Sequence, residues 1–173
     1  MLFSVNRLRS LLPALLCLAI FYPRVGHGLS GDTEQPIQVE ADSAEYDDKT
    51  GTSVYRGKVR MIQGSMVLTG DVVTVLTPGQ RLTKIIADGH KATFKMLRDD
   101  GETVYAEAEH LEYDISDHKI LLLRKASVEQ GNNRISSERI EYDTATQTVE
   151  AGHLKDGGRV KMTIIPGTTP SNP

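Results

Sequence analysis

From residue 37 onward, apolar positions alternate with polar ones, the two-residue period of a strand with one face turned to a core. In IQVEA, Ile37, Val39 and Ala41 share a face, and then the phase slips, because the next apolar positions are Ala44 and Tyr46. An extra residue at Asp42-Ser43 is what a β-bulge or corner inserts, bending the strand while its apolar side stays inward. The same step occurs at Gly70-Val73-Val75, Ala108-Leu111-Tyr113 and Ser137-Ile140-Tyr142, with a small residue at each bend. Four equivalent bends predict a sheet folded along a common seam.

The bends belong to an internal repeat. VEADSAEYDDKTG, from Val39, returns 67 positions later as AEAEHLEYDISDHK, from Ala106. The frame also sets Gln63-Gly64 on Gln130-Gly131 and Leu68 on Ile135; SERIEYD opens at Ser137 and a fainter GDVVTVL at Gly70. The small residues Ala41, Gly70, Ala108 and Ser137 are 29, 38 and 29 positions apart, so one β-unit is stacked about four times.

Hairpins lie between the bends. In SVYRGKVRMIQGSMVLTG, the residues Tyr55, Gly57, Val59 and Met61 share a face, Gln63-Gly64 turns, and Met66 and Leu68 return. Asp99-Asp100-Gly101 signals another turn, and Thr77-Pro78-Gly79 interrupts the longest interval. RVKMTIIP sets Val160, Met162 and Ile164 on one face and stops at Pro166. The tail, residues 167–173, has a disordered composition. No segment beyond residue 28 holds a helical period, so the chain is expected to be all-β and antiparallel. One domain over 29–166 would have two sheets, or one doubled sheet, around an apolar interior.

The first 28 residues are a separate object. Arg7 and Arg9 precede a nearly unbroken apolar run from Leu11 to Phe21, and Gly26-His27-Gly28 offers small residues for cleavage, the pattern of a secretory signal with Leu29 as the new start. The run falls short of the about 20 residues of a bilayer span. Leu16 stands where a lipid-modified signal wants a small residue, which disfavours lipidation at Cys17. Losing Arg7, Arg9 and Arg24 moves the formal charge from −3 to −6 and leaves no cysteine. The expected product is exported, free of disulfides and held by its core alone. An acidic chain with few rings is also a poor nucleic-acid binder.

Candidate chemistry mostly dissolves on inspection. Asp48-Lys49-Thr50-Gly51-Thr52 spells the phosphorylation signature of ion pumps, but it falls where the repeat places turns, and a small exported domain lacks the surrounding machinery. Gly51–Lys58 mimics a phosphate loop yet runs into a strand where a helix is needed. His90, His110, His118 and His153 lack the spacing of zinc ligands, and His90 and His153 read as turn residues after glycine. No Gly-x-Ser-x-Gly elbow occurs. Glu45, Glu112 and Glu141 recur like catalytic carboxylates but fall between inward positions, so they face water. No enzyme activity, metal or cofactor is expected. Arg56, Lys58 and Arg60 form an outward basic stripe able to meet an anionic partner, although a solvated face explains them as well.

What remains is the interior. Its expected members are Ile37, Val39, Tyr46, Tyr55, Val59, Met61, Met66, Leu68, Val73, Val75, Phe94, Leu111, Tyr113, Ile115, Leu122, Val128, Ile135, Ile140 and Tyr142. A plain sandwich core accounts for them, and an adaptable lining of methionines and aliphatics also suits acyl chains.

GDTEQPIQVEAD, YRGKVRMIQGSMVLTGDVV, DGHKATF, NRISSERIEYD and RVKMTIIP, in this order after a cleavable signal, resemble the OstA-like family of periplasmic lipopolysaccharide-transport proteins, the LptA group. The resemblance covers nearly all of the chain beyond the signal. An LptC-like relative would keep an uncleaved N-terminal helix and an LptD-like one would continue into a barrel, so a soluble bridge member is expected. The resemblance implies a curved β-jellyroll, open at both ends, in the periplasm. It implies an apolar groove for the acyl chains of lipopolysaccharide, with Ile37, Val39, Phe94, Tyr113 and Ile115 among its lining. It also implies head-to-tail self-association and contact with LptC-like inner-membrane and LptD-like outer-membrane jellyrolls. The joining edges would be Ile37–Ala41 (Ile37, Val39, Ala41) and Val160–Ile164 (Val160, Met162, Ile164). The alternative is a structural assembly module that joins partners by edge-strand addition without a lipid groove.

Overall fold

The computed structural model describes residue 32, residues 35–152 and residues 159–165. The expected signal peptide, the tail beyond Pro166 and His153 lie outside the described residues. Ten strands follow one another: β1 (Ile37–Glu40), β2 (Ser43–Asp47), β3 (Thr52–Gln63), β4 (Met66–Leu76), β5 (Lys84–Leu97), β6 (Thr103–Asp114), β7 (Lys119–Gln130), β8 (Asn133–Asp143), β9 (Thr148–Ala151) and β10 (Lys161–Thr163). A 3-10 turn, Pro78–Gln80, occupies the predicted Thr77-Pro78-Gly79 interruption. The strands make one antiparallel sheet in the order β1-β3-β4-β5-β6-β7-β8-β10, with β2 also on β3 and β9 also on β8.

The long strands pair twice, once on each side of a seam. Register slips between Arg56 and Val59 on β3, Thr69 and Val72 on β4, Asp88 and Ala92 on β5, Glu107 and His110 on β6, and Leu123 and Ala126 on β7. The sheet therefore has two layers of eight strand segments, the first ending on β1 and β10, the second on β2 and β9. Doubling is visible in a pair of rings. Phe94 pairs with Ala106, and Tyr113 lies further along the same strand, which in a flat sheet would separate them by about 23 Å. Their ring centroids are 5.8 Å apart, edge to face.

The seam is built from backbone that ordinary residues avoid. Gly57 (φ 83°) and Lys58 (φ 45°) bend β3, and a Cβ on Gly57 would lie 2.2 Å from Asp42 Oδ2. Arg124 (φ 64°) and Lys125 (φ 50°) bend β7 with no glycine at all. The sequence pattern anticipated the bends at 41–43, 70, 108 and 137 but not those on β3, β5 and β7. His90, read as a turn residue, in fact sits inside β5 at its seam bulge, because the Gly89 bend does not end the strand.

The repeated Tyr-Asp pairs close the hairpin tips of the second layer. Asp47 Oδ1 accepts from Lys49 N, Asp114 Oδ1 from Asp117 N, and Asp143 Oδ1 from Ala145 N and Thr146 N. Four residues after each Asp the chain turns left-handed, at Gly51 (φ 64°), His118 (φ 56°) and Gln147 (φ 60°). An aspartate that binds its own following backbone favours such turns. The pump-like motif at Asp48–Thr52 is one of these tips, as the repeat frame predicted.

Core side chains alternate along every long strand and meet across the two layers. Truncating Phe94 removes a fully buried ring that touches both layers. Phe94→Ala is expected to lower stability by about 3–5 kcal/mol in urea unfolding; a loss below about 1 kcal/mol would show that the layers do not pack on this ring.

Candidate functional site

The inner face is a set of unbroken cross-strand rows. In the first layer, Val39, Met61, Leu68, Phe94, Ala106, Val128, Ile135 and Met162 are successive register partners from β1 to β10. In the second, Tyr46, Ser53, Val75, Ile85, Tyr113, Ile120, Tyr142 and Val149 run from β2 to β9. The first row is apolar across the full width of the sheet to both edges, and the second is apolar except at Ser53.

Of the residues expected inside, Val59, Met61, Met66, Leu68, Val73, Val75, Phe94, Leu111, Tyr113, Leu122, Val128, Ile140 and Tyr142 are buried. Ile37, Val39, Tyr55, Ile115 and Ile135 are half-buried and packed against them. Tyr46 is corrected: it is 61% exposed. Its register places it on the inner face, but β2 is the last strand of its layer and is exposed along its whole length. Ala41 is corrected too, since β1 ends at Glu40 and the chain turns through Ala41 toward β2. Val160 and Ile164 flank the short strand β10 and are exposed beside Met162, itself 56% exposed.

The pattern reading missed Ile85, Ala87, Ala92, Met96, Val104, Ala106, Ala108, Ile120 and Ala126, all buried. Period two was present at each of these stretches, as in KATFKM and TVYAEAE. Most are alanines, whose small side chains let the layers approach closely at the seam, or lie on the three strands whose bends went unread.

The mouth opposite the seam is crossed by Arg98, only 8% exposed, in the β5–β6 turn. Its Nη1 donates to Glu102 at 3.3 Å, its Nη2 lies 2.6 Å from Asp100, and Nη2 also donates to Gln147 Oε1 in the β8–β9 turn of the other layer. Its Nε and the buried Tyr142 hydroxyl make no hydrogen bond. Burial pushes the Tyr113 and Tyr142 phenols above their ordinary pKa, so both are neutral rings facing the interior.

The outer face is polar and tied across strands. His110 shares one ring nitrogen with Asp88 (2.7 Å) and the other with Glu112 (3.0 Å), and Lys84 bridges Glu112 and Asp114, at 3.4 Å each. Burial alone would depress the His110 pKa, but hydrogen bonds and charges from Glu112 and Asp88 outweigh it and hold the imidazolium above its ordinary value. The recurring acids are therefore outer-face partners of cations, Glu112 with His110 and Glu141 with Lys119 at 2.7 Å, while Glu45 is exposed. Arg56, Lys58 and Arg60 are exposed and form no ion pair among the described residues. No cluster among the described residues has the make-up of a metal site.

These features define a class: a folded-over antiparallel β-jellyroll with an apolar inner face, a polar outer one and two free edges. The family model described as LptA/(LptD N-terminal domain) LPS transport protein matches residues 38–148. The chain belongs to that family of lipopolysaccharide transport proteins. It is 37% identical over 126 residues to the lipopolysaccharide export system protein LptH of Pseudomonas aeruginosa, covering 72% of each chain. It is 30% identical over 169 residues to the lipopolysaccharide export system protein LptA of Escherichia coli K12, covering 96% of this chain and 90% of that one. The crystal structure of LptH, the LptA-homologous periplasmic component of the lipopolysaccharide transport device of P. aeruginosa, superposes with a TM-score of 0.73 at 36% identity, over 79% of this chain and 99% of that one.

A raised His110 pKa means that the folded state binds its proton more tightly than the unfolded chain does. The contribution is complete below the unfolded value, about 6.5, and is lost as pH rises through the folded one. Urea midpoints of the wild type are expected to fall between pH 6 and pH 8 more steeply than those of His110→Gln; parallel profiles would remove His110 as the cause.

Proposed function

We propose that this chain is a periplasmic segment of a lipopolysaccharide bridge, holding acyl chains against its inner face and joining its neighbours edge to edge. One observation carries this reading: the inner apolar row runs without interruption from Val39 on one edge to Met162 on the other. A neighbouring jellyroll that paired on either edge would continue both the sheet and the apolar row. Main-chain bonding would supply affinity and the matched inner faces a continuous path. Such head-to-tail contacts do not close on themselves and so build a bridge.

Each buried methylene is worth about 0.8 kcal/mol, so a lipid with several long chains meets a large barrier in water. A row of similar apolar sites replaces that barrier with small steps and needs no catalytic group. The neighbours in this reading are further copies, an LptC-like jellyroll at the inner membrane and an LptD-like one at the outer. Entry of an acyl chain requires the layers to part at the mouth, where Arg98 and Gln147 hold them together.

A second reading, an assembly module without a lipid groove, is favoured by the tight contact of Phe94 with Tyr113 across the interior. A photocrosslinker separates the two. Placed at Phe94 it is expected to label lipopolysaccharide, and placed at the outer Glu112 it is not; labelling from Glu112 alone would reverse the face assignment, and labelling from neither would favour the assembly module.

Ile37→Asp puts a carboxylate at the free edge of β1. It is expected to weaken co-purification with the LptC-like partner by at least about tenfold while leaving the urea midpoint of the isolated chain near wild type. Unchanged co-purification would remove this edge from the joint.

A further inference from the structure

Two hairpin tips meet across the mouth, the β5–β6 turn of the first layer and the β8–β9 turn of the second, and each is fastened within its own layer. In the first, Arg98 N donates to Glu102 O at 2.8 Å and Gly101 N to Arg98 O at 2.9 Å, while Gln130 Nε2 at the end of β7 donates to the Glu102 carboxylate at 3.4 Å. In the second, Thr144 N and Oγ1 donate to His118 O in the β6–β7 turn, at 2.8 and 3.0 Å. Between the two tips runs the bond from Arg98 Nη2 to Gln147 Oε1.

That bond can break while both tips keep their own fastenings. The Arg98 charge is met by Asp100 at 2.6 Å and Glu102 at 3.3 Å, both in its own turn, and these carboxylates are 47% and 53% exposed. The ion pairs therefore survive when the layers part. Gln147 is neutral, so parting leaves an amide that water satisfies and no stranded charge. Closure also has a cost. The closed mouth leaves Arg98 Nε and the hydroxyl of Tyr142, a residue 1% exposed, without a hydrogen-bond partner among the described residues. Tyr142 stands on the inner face at the end of β8, in the strand that leads into the Gln147 tip. A buried polar group without a partner favours any state in which water or a ligand reaches it. Closure thus gains one bond between side chains and strands two polar groups, so the mouth is held weakly.

We propose that Arg98 and Gln147 form a latch that closes the mouth over the interior and releases it when the two tips separate. The latch deepens the carrier reading and rests on it for its purpose, the admission of an acyl chain. Opening itself is a property of the protein alone.

The test uses the full chain after secretion, when loss of the expected signal has removed Cys17, the one cysteine of the sequence. Ile120→Cys, at a position 1% exposed and paired in register with Tyr142, supplies a thiol whose labelling rate reports opening. Two variants are compared in that background. Gln147→Gly removes the latch amide, and the left-handed backbone there (φ 60°) suits glycine, so the hairpin is kept. It is expected to label about tenfold faster than the Ile120→Cys parent, with a urea midpoint no lower. Tyr142→Phe removes the hydroxyl that closure strands, and is expected to label about threefold or more slower, with a raised midpoint. Equal labelling of Gln147→Gly and the parent, or a shift of both variants in the same direction, overturns the latch. Uptake of a fluorescent acyl probe by the same proteins links opening to function, and is expected to quicken in Gln147→Gly and slow in Tyr142→Phe. If the parent takes up no probe while labelling divides as expected, the carrier reading fails and the latch stands. If all three proteins take up the probe and label at one rate, the carrier stands and the latch fails.

Discussion

A sheet can double over on itself only where all of its ladders yield at the same height, and that constraint governs this molecule. Five register slips on adjacent strands lie side by side, so the strands bend together and not one by one. Two apolar faces are brought together as a result, and Phe94 meets Tyr113. The bend is achieved with left-handed backbone at Gly57-Lys58 and Arg124-Lys125, a local cost of about 1–3 kcal/mol per non-glycine residue that the interior offsets.

The same geometry explains why the edges stay open. Each long strand contributes to both layers, so the sheet ends on β1 and β2 at one side and on β9 and β10 at the other. Exposed strand edges are ordinarily protected by charge, proline or bulges. Here Tyr46, Met162, Ile164 and Ile165 are left uncovered. The outer face, in contrast, is polar and tied across strands by His110, Lys84 and their acids.

Much of this was legible in the residues. The alternation placed thirteen of the expected interior residues in the buried core. The repeat identified four of the bends, and the repeated Tyr-Asp pairs marked the hairpin tips. Less was legible where a signal had more than one cause. Gly57 sat in phase with its neighbours and did not announce a bend, and Arg124-Lys125 looks like any exposed charged pair until the backbone is seen. Gly89-His90 resembles a turn because glycine serves both turns and bulges.

Sequence alone determined the period of the strands, the phase slips that make a seam possible and the family to which the chain belongs. Local patterning can do this because the side on which a side chain points is set by its place in the strand. Tertiary structure decided which parts of the inner face are covered, so that Tyr46 and Met162 lie bare on the rows that bury Tyr142 and Phe94. Alternation names a face, but only the closing of the layers and the position of the last strand determine what stands opposite it.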